Sequence, residues 1–212
     1  MVTITARLAD GSGESAGTGI VLTDSGRVLT NRHVVVGAAA VEAVDPSSGR
    51  AWPAEVVGTD SRRDVAVLRL TDAAGLEPAA LAIEEPEVGD AVVAVGNANG
   101  AGRLTAAEGT VTGLDRRITT RPEGAAAGET LDGLIETDAD VVPGDSGGPL
   151  RNDSGAVIGV DTAATSGGAD ITAYAIPIGT ALAAVRRIVA GERAAGVVLG
   201  RPAFLGVRID PA

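Results

Sequence analysis

The chain has 212 residues, enough for one large domain or two small lobes around a real core. Its formal net charge of -11 repels phosphate backbones and anionic lipid, so a nucleic-acid partner is not expected. There is no cysteine and only one histidine, His33, which excludes disulfides, thiolate chemistry, zinc fingers, iron–sulfur clusters and histidine-rich metal sites. Aromatic residues are limited to Trp52, Tyr174 and Phe204, too few for a base-stacking platform. No apolar run is long enough for a membrane span, and the opening MVTITARLAD lacks the pattern of a signal peptide. The compartment stays open. No cofactor and no metal is expected.

Short apolar runs alternate with turns along the chain. They cover residues 3–8, 19–22, 27–30, 54–57, 65–70, 91–95, 109–113, 131–137, 156–160 and 171–176. Many are rich in Val and Ile or alternate in polarity, as half-buried or buried strands do. Asp24-Ser25-Gly26 and Asn152-Asp153-Ser154-Gly155 have hairpin-turn chemistry. Many short strands at near-regular spacing predict an all-β sandwich or barrel. One helix is expected near the C-terminus, capped by Thr180, with Leu182, Val185 and Val189 as its apolar stripe and Gly191 at its end. Residues 98–103 are expected to link two lobes, and 121–128 to form a second linker.

The strongest chemical signal is Pro143-Gly144-Asp145-Ser146-Gly147-Gly148-Pro149. Small residues around Ser146 let a substrate backbone approach. Glycines allow the backbone angles that aim two N–H groups at one point, as an oxyanion hole requires. The same residues satisfy the G-x-S-x-G elbow of α/β-hydrolases, but that fold places its histidine after the serine. Here the only histidine precedes it, so that reading fails. His33 ends a strand-like run and could act as the base for Ser146. Asp64 opens the apolar run 65–70 and is the best placed of several Asp residues to orient the imidazole. A strand-start Asp paired with Arg62 or Arg63 is the plainer alternative. The order His33, Asp64, Ser146 is that of chymotrypsin.

Seven segments then resemble one family in its own order: GTGIVLTDSGRVLTNRHVV, RRDVAVLRL, AVGNANG, EGTVTGL, IETDADVVPGDSGGPL, AVIGVDTAA and AYAIP. The chain resembles trypsin-like (chymotrypsin-fold) serine proteases of the HtrA/DegP type. The resemblance implies two six-stranded antiparallel β-barrels with the site between them and a short C-terminal helix. It places an N-terminal barrel at 1–97, a C-terminal barrel with the helix at 98–192, and a tail at 193–212 similar to a linker to a PDZ domain. It implies His33 as base, Asp64 as orienting acid, Ser146 as nucleophile, and the N–H groups of Gly144 and Ser146 as the oxyanion hole. Asp161, Thr162 and Ala163 fall where such proteases pair with a substrate strand. Polypeptides are the implied substrates. A catalytically silent module that holds peptides as strands is the alternative.

Several positions depart from that pattern. HtrA-type chains usually carry Asn at the position of Asp145. Digestive relatives pair an Asp there with a cleaved N-terminus, and no Ile-Val-Gly-Gly start is present. Asp161 is expected close to Asp64, where two carboxylates would raise one pKa. The aromatic residues that support HtrA trimers are missing from the first fifty positions. Residues 204–209 look like the lead-in to a PDZ domain. For the pocket, Asp140 stands where trypsin selects Arg or Lys, whereas Val141 and Val142 favour small aliphatic P1 groups. The second of these is the reading adopted. Segments 121–128 and 163–170 are candidates for an activating movement.

Overall fold

The computed structural model describes residues 1–11, 13–82, 84–120, 130–166 and 171–200. Six strands make the first ring: β1 (Val2–Leu8), β2 (Glu14–Val21), β3 (Arg27–Asn31), β4 (Ala38–Val44), β5 (Ala51–Asp60) and β6 (Val65–Leu70). They pair in the order β5-β4-β1-β2-β3-β6, and β6 returns to β5, which closes the ring. Between β3 and β4 lies the single helical turn α1 (Arg32–Val35). The second ring is a closed barrel of β7 (Ala91–Gly96), β8 (Thr105–Thr119), β9 (Thr130–Thr137), β10 (Pro149–Asn152), β11 (Val157–Ser166) and β12 (Ile171–Pro177). The chain continues through α2 (Ile178–Val189) to β13 (Val197–Leu199), which pairs with β5 on the first barrel.

The turns form as their residues dictate. In the β2–β3 hairpin, Gly26 takes a φ of 89°, and its N–H donates to the Thr23 carbonyl. In the β10–β11 hairpin, the Asn152 side-chain oxygen accepts from the Ala156 N–H and the Ser154 hydroxyl.

Three apolar cores follow from strand alternation. Val2, Ile4, Val28, Trp52, Leu68 and Leu70 fill the first barrel. Val92, Val111, Ile135, Leu150 and Ile158 fill the second. The third core lies between them, with Ile20, Leu29, Val65 and Val67 from the first barrel and Leu131, Leu134, Val157, Val160 and Ile176 from the second. This explains the unbroken run Val65-Ala66-Val67-Leu68. Val65 and Val67 face the shared core while Ala66 and Leu68 face the barrel interior, so both faces of β6 are buried.

Four sequence expectations change. β7 pairs with β8 and β10, so the strand rings divide between Leu70 and Ala91 rather than at residue 97. Residues 98–103 do not link lobes; they form the β7–β8 turn, with a 3₁₀ turn at Ala98–Gly100. The helix starts at Ile178 behind Pro177, so Thr180 lies inside it. Its buried stripe is Ile178, Ala181, Ala184, Val185 and Ile188, which continues the shared core, while Val189 is exposed. Within the tail, Val197–Leu199 is a strand of the first barrel's sheet, because its register on β5 extends that sheet by one strand. Residues 204–209 and 121–128 lie outside the described residues, as do 167–170.

Candidate active site

The single helical turn α1 carries His33, and Asp64 organises it from the β5–β6 connection. The Asp64 carbonyl accepts from the Arg32 N–H at 3.1 Å and from the Asn31 side-chain amide at 3.0 Å. One carboxylate oxygen, Oδ1, accepts from the His33 backbone N–H at 2.9 Å. The other, Oδ2, lies 2.7 Å from His33 Nδ1 and accepts from the Thr162 hydroxyl at 2.7 Å. An ionised carboxylate only accepts hydrogen bonds, so Nδ1 is the donor here, and in the neutral imidazole Nε2 keeps its lone pair. Asp64 is 3% exposed and has a φ of 51°, a left-handed backbone that a non-glycine residue holds only when its surroundings fix it. It is not a strand-start Asp paired with a neighbouring arginine: Arg63 bonds Asp60 instead.

Ser146 arrives from the second barrel on residues 143–148. Its carbonyl accepts from the Thr18 N–H at 2.8 Å, which ties the loop to β2. Gly17 is the hinge point of this meeting. A Cβ there would sit 2.6 Å from a methyl of Val34, the residue after His33, and 3.1 Å from the Ser146 carbonyl. Only a glycine lets α1 and the serine loop share that strand. Thr18 secures the rest: its hydroxyl donates to the Gly144 carbonyl at 2.9 Å and accepts from the Asn97 N–H at 2.9 Å. Thr30 in turn donates to the Thr18 carbonyl at 2.7 Å. The β7–β8 turn braces the loop from the other side, with the Asn99 N–H on the Pro143 carbonyl.

Within the loop, the N–H groups of Asp145, Gly147 and Gly148 donate to the carbonyls of Val142, Asp161 and Asp145. Those of Gly144 and Ser146 donate to nothing among the described residues. Gly144 has a φ of 98°, and a Cβ on it would lie 2.2 Å from the Asn97 carbonyl. Two unused donors flanking one residue, beside a half-buried serine hydroxyl, can stabilise charge developing on an acyl oxygen.

The pocket residues separate. Asp140 is exposed and Val142 half-buried. Val141 is 5% exposed and belongs to the core of the second barrel, so it is not a pocket residue; strand-end packing claims it. On β11, the Asp161 N–H donates to the Gly148 carbonyl, and Thr162 reaches Asp64. The register with β10 ends at Val160, so beyond it β11 pairs only with β12 among the described residues. Asp161 spends its N–H and carbonyl on Gly148 and Gly147, so the edge left for an added strand begins at Thr162; the side chain of Ala163 lies outside the described residues.

The model of the "Trypsin-like peptidase domain" family matches residues 17–160. The chain belongs to that family. Its relatives include the chloroplastic Protease Do-like 1 of Arabidopsis thaliana, 35% identical over 88% of this chain and 42% of the relative. They also include the periplasmic pH-dependent serine endoprotease DegQ of Escherichia coli, 37% identical over 77% of this chain and 35% of the relative. The chain thus spans well under half the length of these curated relatives. Among solved structures, the active form of the Rv3671c protease from M. tuberculosis superposes with a TM-score of 0.76 at 30% identity, covering 88% of this chain and 79% of that one. A tripeptide complex of an HtrA-type protease, AlgW, superposes at 0.74 and 27% identity.

Two members of this trypsin-like site differ from expectation. The Asp161 carboxyl makes no hydrogen bond, and the residue that meets Asp64 is Thr162, at the bulge between Asp161 and Ala163; the charge bearing on Asp161 is that of Asp145. Asp145 has no arginine partner among the described residues: Oδ2 accepts from the Val142 N–H at 3.0 Å, and Oδ1 has no partner. Sequence reading missed Thr18 and Asn97 altogether. Neither residue type announces a role, and their meeting with Gly144 spans two barrels.

Proposed function

We propose that this trypsin-like domain is a serine endopeptidase that cleaves extended polypeptide through an acyl-enzyme. The observation that carries this is the Asp64 carboxylate, which accepts from both the backbone and the ring of His33. Ser146 Oγ attacks the scissile carbonyl as His33 Nε2 takes its proton. Asp64 stabilises the imidazolium that forms, and the N–H groups of Gly144 and Ser146 receive the oxyanion. His33 then returns the proton to the departing amine. In the second half it takes a proton from the water that attacks the acyl-enzyme and passes it to Ser146 Oγ as the acyl–oxygen bond breaks. The substrate lies as a strand against Thr162 and Ala163, beyond Asp161, whose backbone groups are taken by the serine loop. Val142 lines the P1 pocket, which takes small aliphatic side chains. The curated relatives named as serine endoproteases support the same reading.

A fluorophosphonate probe is expected to label Ser146, and Ser146→Ala to abolish both labelling and casein cleavage. By analogy with another serine protease, loss of the nucleophile lowers turnover on the order of a million-fold. Undiminished cleavage by Ser146→Ala would overturn the reading. A peptide-library digest read by mass spectrometry checks the pocket, since dominant cleavage after Arg would assign it to Asp140 instead.

A further inference from the structure

Behind the serine loop lies a pair of acids that the mechanism does not use. Asp161 is completely buried, and neither of its carboxyl oxygens has a hydrogen-bond partner. Asp145, adjacent to Ser146, is 5% exposed, with Oδ1 equally unpartnered. Backbone bonds hold the two residues to one short stretch. The Gly147 N–H donates to the Asp161 carbonyl, the Asp161 N–H to the Gly148 carbonyl, and the Gly148 N–H to the Asp145 carbonyl, each at 2.8 Å. Two ionised carboxylates in such a place face desolvation and mutual repulsion together. Among the described residues no cation pairs with either carboxyl group. The strand neighbours of Asp161 are Ala175 on β12 and Gly148 beside β10, and among the described residues Asp140 adds a further negative charge that bears on Asp145.

We propose that Asp161 is a positioning residue that works as a neutral acid: one proton held between it and Asp145 keeps residues 143–148 closed on β11, with the Gly144 and Ser146 N–H groups aimed outward. The chemistry follows from the burial. A protonated carboxyl has an O–H to donate, and the unpartnered oxygens of the pair can accept it. Burial raises both carboxyls above their usual range, and Asp161 furthest, with the Asp145 charge adding to its rise. When both acids ionise, repulsion pushes Asp145 off the strand, and the oxyanion donors on either side of it move with it. The loop is therefore sensitive to rising pH through a group other than His33. The sign for stability is the same. The unfolded Asp161 loses its proton near 3.8 and the folded one at higher pH, so the folded state binds more protons between those values. Stability falls as pH rises across that window and levels off above it.

The inference rests on the endopeptidase reading only for its kinetic test, so the experiment includes a readout independent of activity. Infrared difference spectra of the full chain against Asp161→Asn at neutral pH are expected to show a protonated carboxylic acid in the parent and none in the variant. Absence of that band would overturn the proposal even if every kinetic assay succeeded. Fluorophosphonate labelling of Ser146 is then followed against pH. The parent is expected to lose labelling rate about tenfold or more along an alkaline limb, as oxyanion donors move out of line. Asp161→Asn keeps a donor but cannot ionise, so its alkaline limb is flat. Asp161→Leu removes the donor, so its labelling is low at every pH. An alkaline limb unchanged in Asp161→Asn overturns the positioning role. If no variant and no parent labels, the endopeptidase reading fails while the infrared result still decides whether the proton is there.

Discussion

Thr162 shows how one hydroxyl joins the two halves of the site. It comes from β11 of the second barrel and donates to Asp64, which belongs to the first. Asp64 thereby has three donors, and its carboxylate is fixed in the plane that His33 Nδ1 needs. Removing the hydroxyl leaves the imidazole free to tilt without emptying the core. Thr162→Val is expected to lower kcat about tenfold, the size of one hydrogen bond to a charged group, with KM little changed. Thr162→Ser should restore most of it. A rise in KM alone would show that Thr162 acts on substrate rather than on Asp64. The residues of this set differ in legibility. Ser146 stands in a motif, and His33 has no rival in the chain. The link from Thr162 to Asp64 had no sequence signal, because the residues are 98 positions apart.

Among the elements, α2 explains most about how the barrels stay aligned. Its buried stripe, ending in Ile188, packs on the shared core between them, and β13 then fastens the chain to β5. Gly58 on β5 shows how close the packing is, since a Cβ there would come 2.8 Å from a methyl of Ile188. Ile188→Ala is expected to cost about 2–5 kcal/mol, measured by urea unfolding. A loss below about 1 kcal/mol would mean that the helix is a passive cover. The helix was expected from sequence, but with its stripe at Leu182, Val185 and Val189. Ala181 and Ala184 are too small to signal burial, yet small residues are what let α2 approach both barrels. The 98–103 segment misled for a similar reason. Its glycines and alanines look like a linker, and only its contacts with residues 143 and 144 show that it braces the serine loop.

For the whole molecule, the barrels meet through a few directed bonds as well as an apolar core. Thr18 is the junction, since it serves Ser146, Gly144 and Asn97 at once. Thr18→Val keeps the shape but removes the hydroxyl, leaving the Gly144 carbonyl and the Asn97 N–H unpaired at a buried seam. Each such group costs about 1–3 kcal/mol. Calorimetry is expected to show a lowered Tm in a single transition, and Ser146 labelling to fall by a larger factor than stability predicts. Two separated transitions would show that the barrels are held by the core and not by this seam.

What the sequence alone determined is the local and the exclusive. Strand runs follow from side-chain alternation, the turn chemistry from Gly, Asn and Asp, and the single candidate for an imidazole base from there being one histidine. The chymotrypsin order follows from its place before Ser146. Tertiary structure decided what depends on register between distant strands. It assigned β7 to the second barrel, put Val141 into the core, and gave Thr162 to Asp64. It also buried the Asp161 carboxyl without a partner and tied its backbone to the serine loop. Alternation along a strand fixes which side chains share a face, but not which strand that face will meet. That choice is made only when both barrels close, which is why the orienting contacts of the site could not be read before it.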